Sequence, residues 1–92
     1  MSETGCRIDV WLWRARFVKT RTLAAAMVER GAVRLTHHGV QTRLDKPSRA
    51  VHPGDRLLFM ASGQLMDLEV LALGERRGPA EEARSLYRSS GD

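Results

Sequence analysis

The sequence has few of the residues that cross-link a chain or anchor it in a membrane. Its 92 residues include one cysteine, Cys6, so no internal disulfide can form, which favours a reducing compartment. Runs of apolar residues are only a few residues long, far below the ~18 that a membrane-spanning helix needs. The first residues are polar, and Arg7 and Asp9 interrupt those that follow, so no signal peptide is predicted and a cytoplasmic protein is expected.

Motifs for metal binding and catalysis are also scarce. The candidate nitrogen and sulfur ligands are Cys6, His37, His38 and His52, and no pair of them has C-x-x-C or H-x-x-x-H spacing. We therefore predict neither a metal site nor a cofactor. Ser48 has no obvious general base near it in the sequence, and no carboxylate cluster is evident. The sequence predicts a protein that is not an enzyme.

The charge is distributed unevenly along the chain. Fifteen Lys and Arg against eleven Asp and Glu give a net charge of +4. Residues 1–56 hold eleven bases and five acids, hence +6, whereas residues 57–92 hold four bases and six acids, hence −2. A positive charge concentrated in one part of the chain predicts a polyanionic partner. Nucleic acid is favoured over a membrane because no basic amphipathic helix of the membrane-binding type is present.

Two helices are predicted near the start of the chain. Asp9 is a candidate cap for a helix over residues 10–17, and Thr20 for a second helix over residues 21–30 that Gly31 ends. Two short helices with a brief connection resemble a helix-turn-helix. The apolar residues predicted to face the core from these helices are Ile8, Trp11, Leu12, Ala15, Leu23, Ala24, Met27 and Val28.

After Gly31 the apolar period changes from 3.6 to 2, which is typical of strands. Pro53-Gly54 fits a type II turn, a short C-terminal helix is predicted over residues 80–88, and residues 89–92 are expected to fray. The predicted fold class is α+β, with two N-terminal helices packed on a small antiparallel sheet and a short C-terminal helix. The predicted strands cover residues 33–36, 40–44, 57–60 and 66–72. The strand Leu57-Leu58-Phe59-Met60 is predicted to be buried, and the inward face of the last strand is predicted to hold Met66, Leu68, Val70 and Ala72.

Basic residues form two groups that could bind phosphates. The first surrounds the predicted junction of the helices, where the second helix offers unpaired amides and the positive end of its dipole. The second follows the first strand, and both could line one groove if the sheet folds back on the helices; a solvated basic face fits the spacing equally well. Trp13 could stack on a base or pack against a partner or the C-terminal helix. The first group is Arg7, Arg16, Lys19 and Arg21; the second is Lys46 and Arg49, with Arg34 and Arg43 nearby.

A set of spaced positions over residues 7–60 resembles the S4-type RNA-binding domain, which is named after a ribosomal protein. Three further segments narrow the resemblance to the heat shock protein 15 family and extend it over nearly the whole chain. They are Trp11-Leu12-Trp13, Arg16-Phe17 and residues 75–83. The positions that carry the S4 resemblance are Arg7-Ile8-Asp9, Leu12, Lys19-Thr20-Arg21, Ala24, Gly31, Val33, Pro47-Ser48, Val51 and Pro53-Gly54-Asp55.

The resemblance implies a stand-alone RNA-binding protein that recognises large ribosomal subunits left carrying peptidyl-tRNA after translation fails, and helps to recycle them. It implies an S4-type domain over residues 7–73, with residues 74–92 as a connector and a short helix. A monomer is expected. The implied RNA contacts are Arg7, Arg16, Lys19, Thr20, Arg21, Lys46, Ser48 and Arg49. The resemblance supports Arg34 and Arg43 less, because this chain has Thr36-His37-His38-Gly39 where the family commonly has a short Asn-Gly turn, and a longer stretch before Pro47.

Two other functions remain open from the sequence. One is a DNA-binding helix-turn-helix regulator, although Leu23-Ala24-Ala25-Ala26-Met27 offers almost no polar side chain for reading bases. The other is an accessory RNA-binding domain of an RNA-modifying enzyme such as a pseudouridine synthase. The remaining length holds no catalytic aspartate motif, which argues against the second alternative.

Overall fold

Two short helices and a five-stranded antiparallel sheet share one hydrophobic core in the computed structural model, which describes residues 5–89. The elements are β1 (Cys6–Arg7), α1 (Ile8–Arg14), α2 (Arg21–Glu29), β2 (Arg34–His37), β3 (Val40–Arg43), β4 (Ala50–Val51), β5 (Arg56–Ala61), β6 (Gln64–Val70), α3 (Ala80–Arg84) and β7 (Tyr87–Ser89). The large sheet has the strand order β3-β2-β5-β6-β7, and β1 pairs separately with β4. This architecture confirms the predicted α+β class. No helix within residues 5–89 is long and apolar enough to span a bilayer.

The core forms where the inward face of the sheet meets the helices. Leu35, Leu57 and Leu68 lie side by side on β2, β5 and β6, and all three are buried. Trp11 and Leu12 of α1 are fully buried in the same cluster. The indole Nε1 of Trp11 donates a hydrogen bond to the carbonyl of residue 72 at 2.9 Å, so the one polar atom of this ring is satisfied inside the core.

The first helix begins two residues earlier than predicted, and Asp9 does not cap it. Asp9 lies in the first turn, and the amides of Ile8 and Asp9 donate to the carbonyls of Arg49 and Pro47 instead. The second helix agrees with its prediction. Thr20 Oγ1 accepts a hydrogen bond from the third residue beyond it at 3.1 Å, and the helix is followed by a glycine with a φ of 79°.

Three apolar residues predicted to face the core are exposed. Leu23 is 52% exposed on α2, and Met60 is 54% exposed on β5, where only Leu57 and Phe59 are fully buried. Ala72, predicted to lie on the inward face of the last strand, is exposed beyond the end of β6. The helices cover one face of the sheet, so alternate strand residues face solvent even within an apolar run.

The C-terminal prediction is wrong beyond residue 84. The helix ends there, and Tyr87 and Ser89 lie in β7, opposite Val70 and Leu68 of β6. Tyr87 packs against the ring of Phe17, with the ring centroids 4.8 Å apart. This tertiary contact and the free edge of β6 outweigh the helical pattern of the segment. Ser89 is therefore paired instead of frayed, and residues 90–92 lie outside the described part of the chain.

We predict that Leu12→Ala lowers the free energy of unfolding by about 2–4 kcal/mol, because it removes a fully buried side chain and leaves a cavity. Leu65→Ala is the matched control, since Leu65 is 63% exposed and its loss should change stability by only about 0.5 kcal/mol. Urea unfolding followed by circular dichroism measures both. Equal midpoints for the two variants would contradict the orientation of α1.

Candidate nucleic-acid interface

The loop between β3 and β4 is fastened to the start of α1, which brings separate basic residues together. The amides of Ile8 and Asp9 donate to the carbonyls of Arg49 and Pro47 at 2.8 and 3.3 Å. Arg7 lies directly opposite Ala50 in the β1–β4 pair. Because the first amides of a helix have no partner within the helix, this loop satisfies them and is held in place. Lys46 and Arg49, the two bases of this loop, therefore lie beside Arg7.

Arg7 is oriented by a buried carboxylate. Its guanidinium donates from Nε and Nη2 to the two oxygens of Asp9 at 3.1 and 2.9 Å. The Asp9 side chain is 5% exposed, whereas that of Arg7 is 52% exposed. The hydrogen bond to Asp9 and the charge of that carboxylate raise the pKa of Arg7 above its usual value. Arg7 therefore stays charged, with part of its surface open to solvent.

Four further bases are exposed, two in the loop beside Arg7 and two at the start of α2. Partial burial raises the pKa of Cys6, the neighbour of Arg7, and the charge of Arg21 at the start of α2 offsets part of that rise. Within residues 5–89, the side chains of Lys19, Arg21, Lys46 and Arg49 form no ion pair or hydrogen bond. Lys19 and Arg21 flank the N-cap of α2, and Lys46 and Arg49 flank the turn that contains Ser48. Unpaired cations repel one another, so an anionic ligand would relieve their repulsion. We call Arg7, Lys19, Arg21, Lys46, Ser48 and Arg49 the basic surface.

Arg16 is not part of the basic surface, because its guanidinium is held by a backbone carbonyl. It follows the C-terminal end of α1 with a φ of 66°, and its Nε donates to the carbonyl of Gly78 at 2.7 Å. Arg14 and Arg77 act in the same way, because Arg14 donates to the Gly74 carbonyl and Arg77 to the carbonyl of residue 13. These three arginines fasten residues 74–78 to the helical part of the chain. Their role could not be read from the sequence, since their acceptors are backbone carbonyls about 60 residues away.

Trp13 packs against the connector. The guanidinium carbon of Arg77 lies 6.0 Å from the centroid of the Trp13 ring, within the range of a cation–π contact. The ring is half-buried. This contact favours the packing interpretation of Trp13 over base stacking.

Arg34 and Arg43 form a separate basic pair. They are directly opposite each other on β2 and β3, and both are exposed. The side chain of Arg43 lies over Gly31, at the end of α2 away from Arg21. Nine helical residues span about 13 Å, so this pair is roughly one helix length from the first turn of α2. Of the predicted contact residues, Arg34 and Arg43 thus lie at the end of α2 opposite to Arg21, and Arg16 is held by the connector.

Comparison with known proteins supports this geometry. The family model of the S4 domain matches residues 6–35, which hold β1, α1, α2 and the start of β2. The bases at the start of α1 and α2 lie within the matched range. The fold and the matched segment define an S4-domain protein.

The relatives identify the family. The heat shock protein 15 homolog of Haemophilus influenzae is 38% identical over 98% of this chain, and heat shock protein 15 of Escherichia coli is 40% identical over 94%. A trimeric structure of Vibrio cholerae heat shock protein 15 is 37% identical, with a TM-score of 0.83, over 94% of this chain and 82% of that chain. This chain belongs to the heat shock protein 15 family. It spans 65% and 61% of the length of the first two relatives.

We predict that Cys6 reacts slowly with thiol reagents at pH 7.5. Partial burial raises the pKa of its thiol, and the positive charge of Arg14 offsets only part of that rise. The thiolate is the reactive form, so its fraction at this pH is smaller than in a free cysteine. Reaction with Ellman's reagent, followed against pH, should show a midpoint above that of the urea-unfolded chain. A midpoint equal to or below that of the unfolded chain would contradict the burial of Cys6.

Proposed function

We propose that this protein binds structured RNA through the basic surface, without catalysing a reaction. The observation that carries the proposal is that Lys46 and Arg49 are exposed beside Arg7, without an ion pair or hydrogen bond among residues 5–89, on a frame held by the hydrogen bonds between the 47–49 loop and α1. Lys19 and Arg21 add two further exposed cations at the start of α2. A frame that is ordered before binding lowers the entropy lost on binding. Phosphates of a folded RNA are the anions that such a surface suits.

Two hydroxyl groups complement the cations. Thr20 Oγ1 accepts from the amide of Leu23, which leaves its own hydrogen available to a phosphate oxygen. Ser48 is exposed in the turn between Lys46 and Arg49 and can donate to a phosphate or pair with a ribose 2′-hydroxyl. We propose Arg16, Arg34 and Arg43 as peripheral contacts, because Arg16 is engaged with the connector and the other two lie at the far end of α2.

The proposed target is the large ribosomal subunit that carries peptidyl-tRNA after translation fails, and the proposed role is its rescue or recycling. Membership in the heat shock protein 15 family supports this choice over a DNA-binding regulator. The α2 face offers Leu23 and alanines where a regulator needs polar side chains that read base edges, and the free cations surround its first turn instead. We also propose that residues 7–73 form the binding domain.

We propose that the chain is a monomer before it binds RNA. Within the described residues the large sheet has two edge strands, and both are short: β7 has three residues, and β3 has four, all of them exposed. Arg43 on this strand and Arg34 beside it disfavour the approach of a second, identical edge. The Vibrio cholerae relative is a trimer, so sedimentation equilibrium of this chain decides between the two states.

We predict that Arg21→Ala weakens RNA binding by on the order of tenfold, because a charge-assisted phosphate contact contributes about 1–2 kcal/mol. If the five cations each neutralise a phosphate, log K falls against log salt with a slope of about −3.5 to −4.5, and the variant reduces this slope by about 0.7–0.9. Arg88→Ala is the matched control, since Arg88 pairs with Glu69 on β6, away from the basic surface. Equal losses in the two variants would show that only net charge matters.

We predict that a fragment of large-subunit RNA displaces labelled RNA from the protein at lower concentrations than a DNA duplex of the same sequence. The spacing of strands and the 2′-hydroxyls in folded RNA differ from B-DNA, so a preformed surface can discriminate between them. The competition is run at near-physiological salt, because low salt strengthens non-specific binding. In a sucrose gradient, the protein should travel with free large subunits. Equal competition by DNA would favour the regulator instead.

A further inference from the structure

Three side chains with metal-binding atoms meet at the edge of the fold, where the β2–β3 hairpin contacts the turn before β5. His37 is the last residue of β2, and His52 and Asp55 frame the turn that contains Pro53-Gly54. One ligand atom from each of the three side chains lies within 4.8 Å of the others. Sequence spacing could not reveal this group, because His37 and Asp55 are 18 residues apart.

The geometry is close to that of a metal site. His37 Nδ1 lies 2.5 Å from Asp55 Oδ1, and His52 Nδ1 lies 3.7 Å from Asp55 Oδ2. Ligands at about 2.0–2.1 Å from a tetrahedral Zn²⁺ are separated by about 3.3 Å, so the His37–Asp55 hydrogen bond must open by about 0.8 Å to admit the ion, and the widest separation in the group, which is at most 4.8 Å, must close. Both histidines are about one-third exposed, which permits such adjustment and leaves a path for the ion to enter.

The carboxylate is buried and already oriented. The Asp55 side chain is 4% exposed, and its Oδ2 accepts a hydrogen bond from the backbone amide of His52 at 2.9 Å. A hydrogen bond of this kind positions a ligating carboxylate and leaves its other oxygen for a metal. The backbone of Asp55 is also fixed, because its amide donates to the carbonyl of His52 and its carbonyl accepts from Val70. Asp55 is therefore the most firmly held of the three ligands, and it is the most deeply buried.

We propose that His37, His52 and Asp55 bind one Zn²⁺ ion, with water in the remaining position. Two imidazole nitrogens and a carboxylate oxygen form a ligand set that Zn²⁺ accepts, whereas Ca²⁺ and Mg²⁺ prefer oxygen ligands alone. The bound ion would link the β2–β3 hairpin to the turn before β5. Its charge would lie near Arg49 and Ala50, three and two residues before His52, and would add to the positive potential beside the basic surface.

The test measures Zn²⁺ binding to the full chain without a polyhistidine tag, by isothermal titration calorimetry. The expected result is one ion per chain with a dissociation constant in the micromolar range or tighter, and a higher melting temperature in the presence of Zn²⁺. His37→Gln and His52→Gln should each weaken binding by about tenfold or more. Both histidines are partly exposed, so these variants should fold, as circular dichroism can confirm.

His38→Gln is the matched control. The His38 ring stacks on that of His37 with centroids 3.9 Å apart, but His38 is not a member of the group of three. This variant should keep the affinity of the parent. Absence of saturable binding below ~100 µM would overturn the proposal. So would an equal loss in His38→Gln and His52→Gln, because adventitious binding to surface histidines would then explain the signal.

Discussion

The attachment of the 47–49 loop to the start of α1 is the contact on which the proposed interface depends. The first two backbone amides of α1 need acceptors, and the carbonyls of Arg49 and Pro47 accept their hydrogen bonds. Proline has a restricted φ, which limits the conformations that the loop can adopt. The hydrogen bonds therefore satisfy the helix and hold Lys46 and Arg49 beside Arg7.

The basic residues have two distinct tasks, and the structure separates them by the acceptors they meet. Arg14, Arg16 and Arg77 donate to backbone carbonyls and fasten the connector to the helices. Arg21 and Lys46 meet no acceptor within residues 5–89 and stay available to a ligand. A count of charges along the chain treats both kinds alike. The difference arises because a guanidinium that reaches a backbone carbonyl gains a hydrogen bond and is held there.

The fold could largely be predicted from local signals. Thr20 followed by an apolar stripe and Gly31 defined α2, since capping and the left-handed backbone at its end act over a few residues. The period of two predicted strands over residues 33–36, 40–44 and 66–72, and a continuous apolar run predicted the strand over residues 57–60, which correspond to β2, β3, β6 and β5; the two-residue strands β1 and β4 were not predicted. Predictions failed at Asp9 and over residues 85–89, where the deciding partners are distant in sequence: the 47–49 loop, which accepts from the first amides of α1, in one case, and the edge of β6 in the other.

The sequence by itself determined the fold class, the second helix, the positive potential of the first part of the chain and the resemblance to a family. Each of these depends on residue types and short spacings. The tertiary structure alone decided which arginines are held by backbone carbonyls, that Arg34 and Arg43 lie at the end of α2 away from Arg21, and that His37, His52 and Asp55 meet. These features depend on strand register and on contacts between residues far apart in the chain. The spacing of apolar residues and the helix-capping residues act locally and do not determine such contacts.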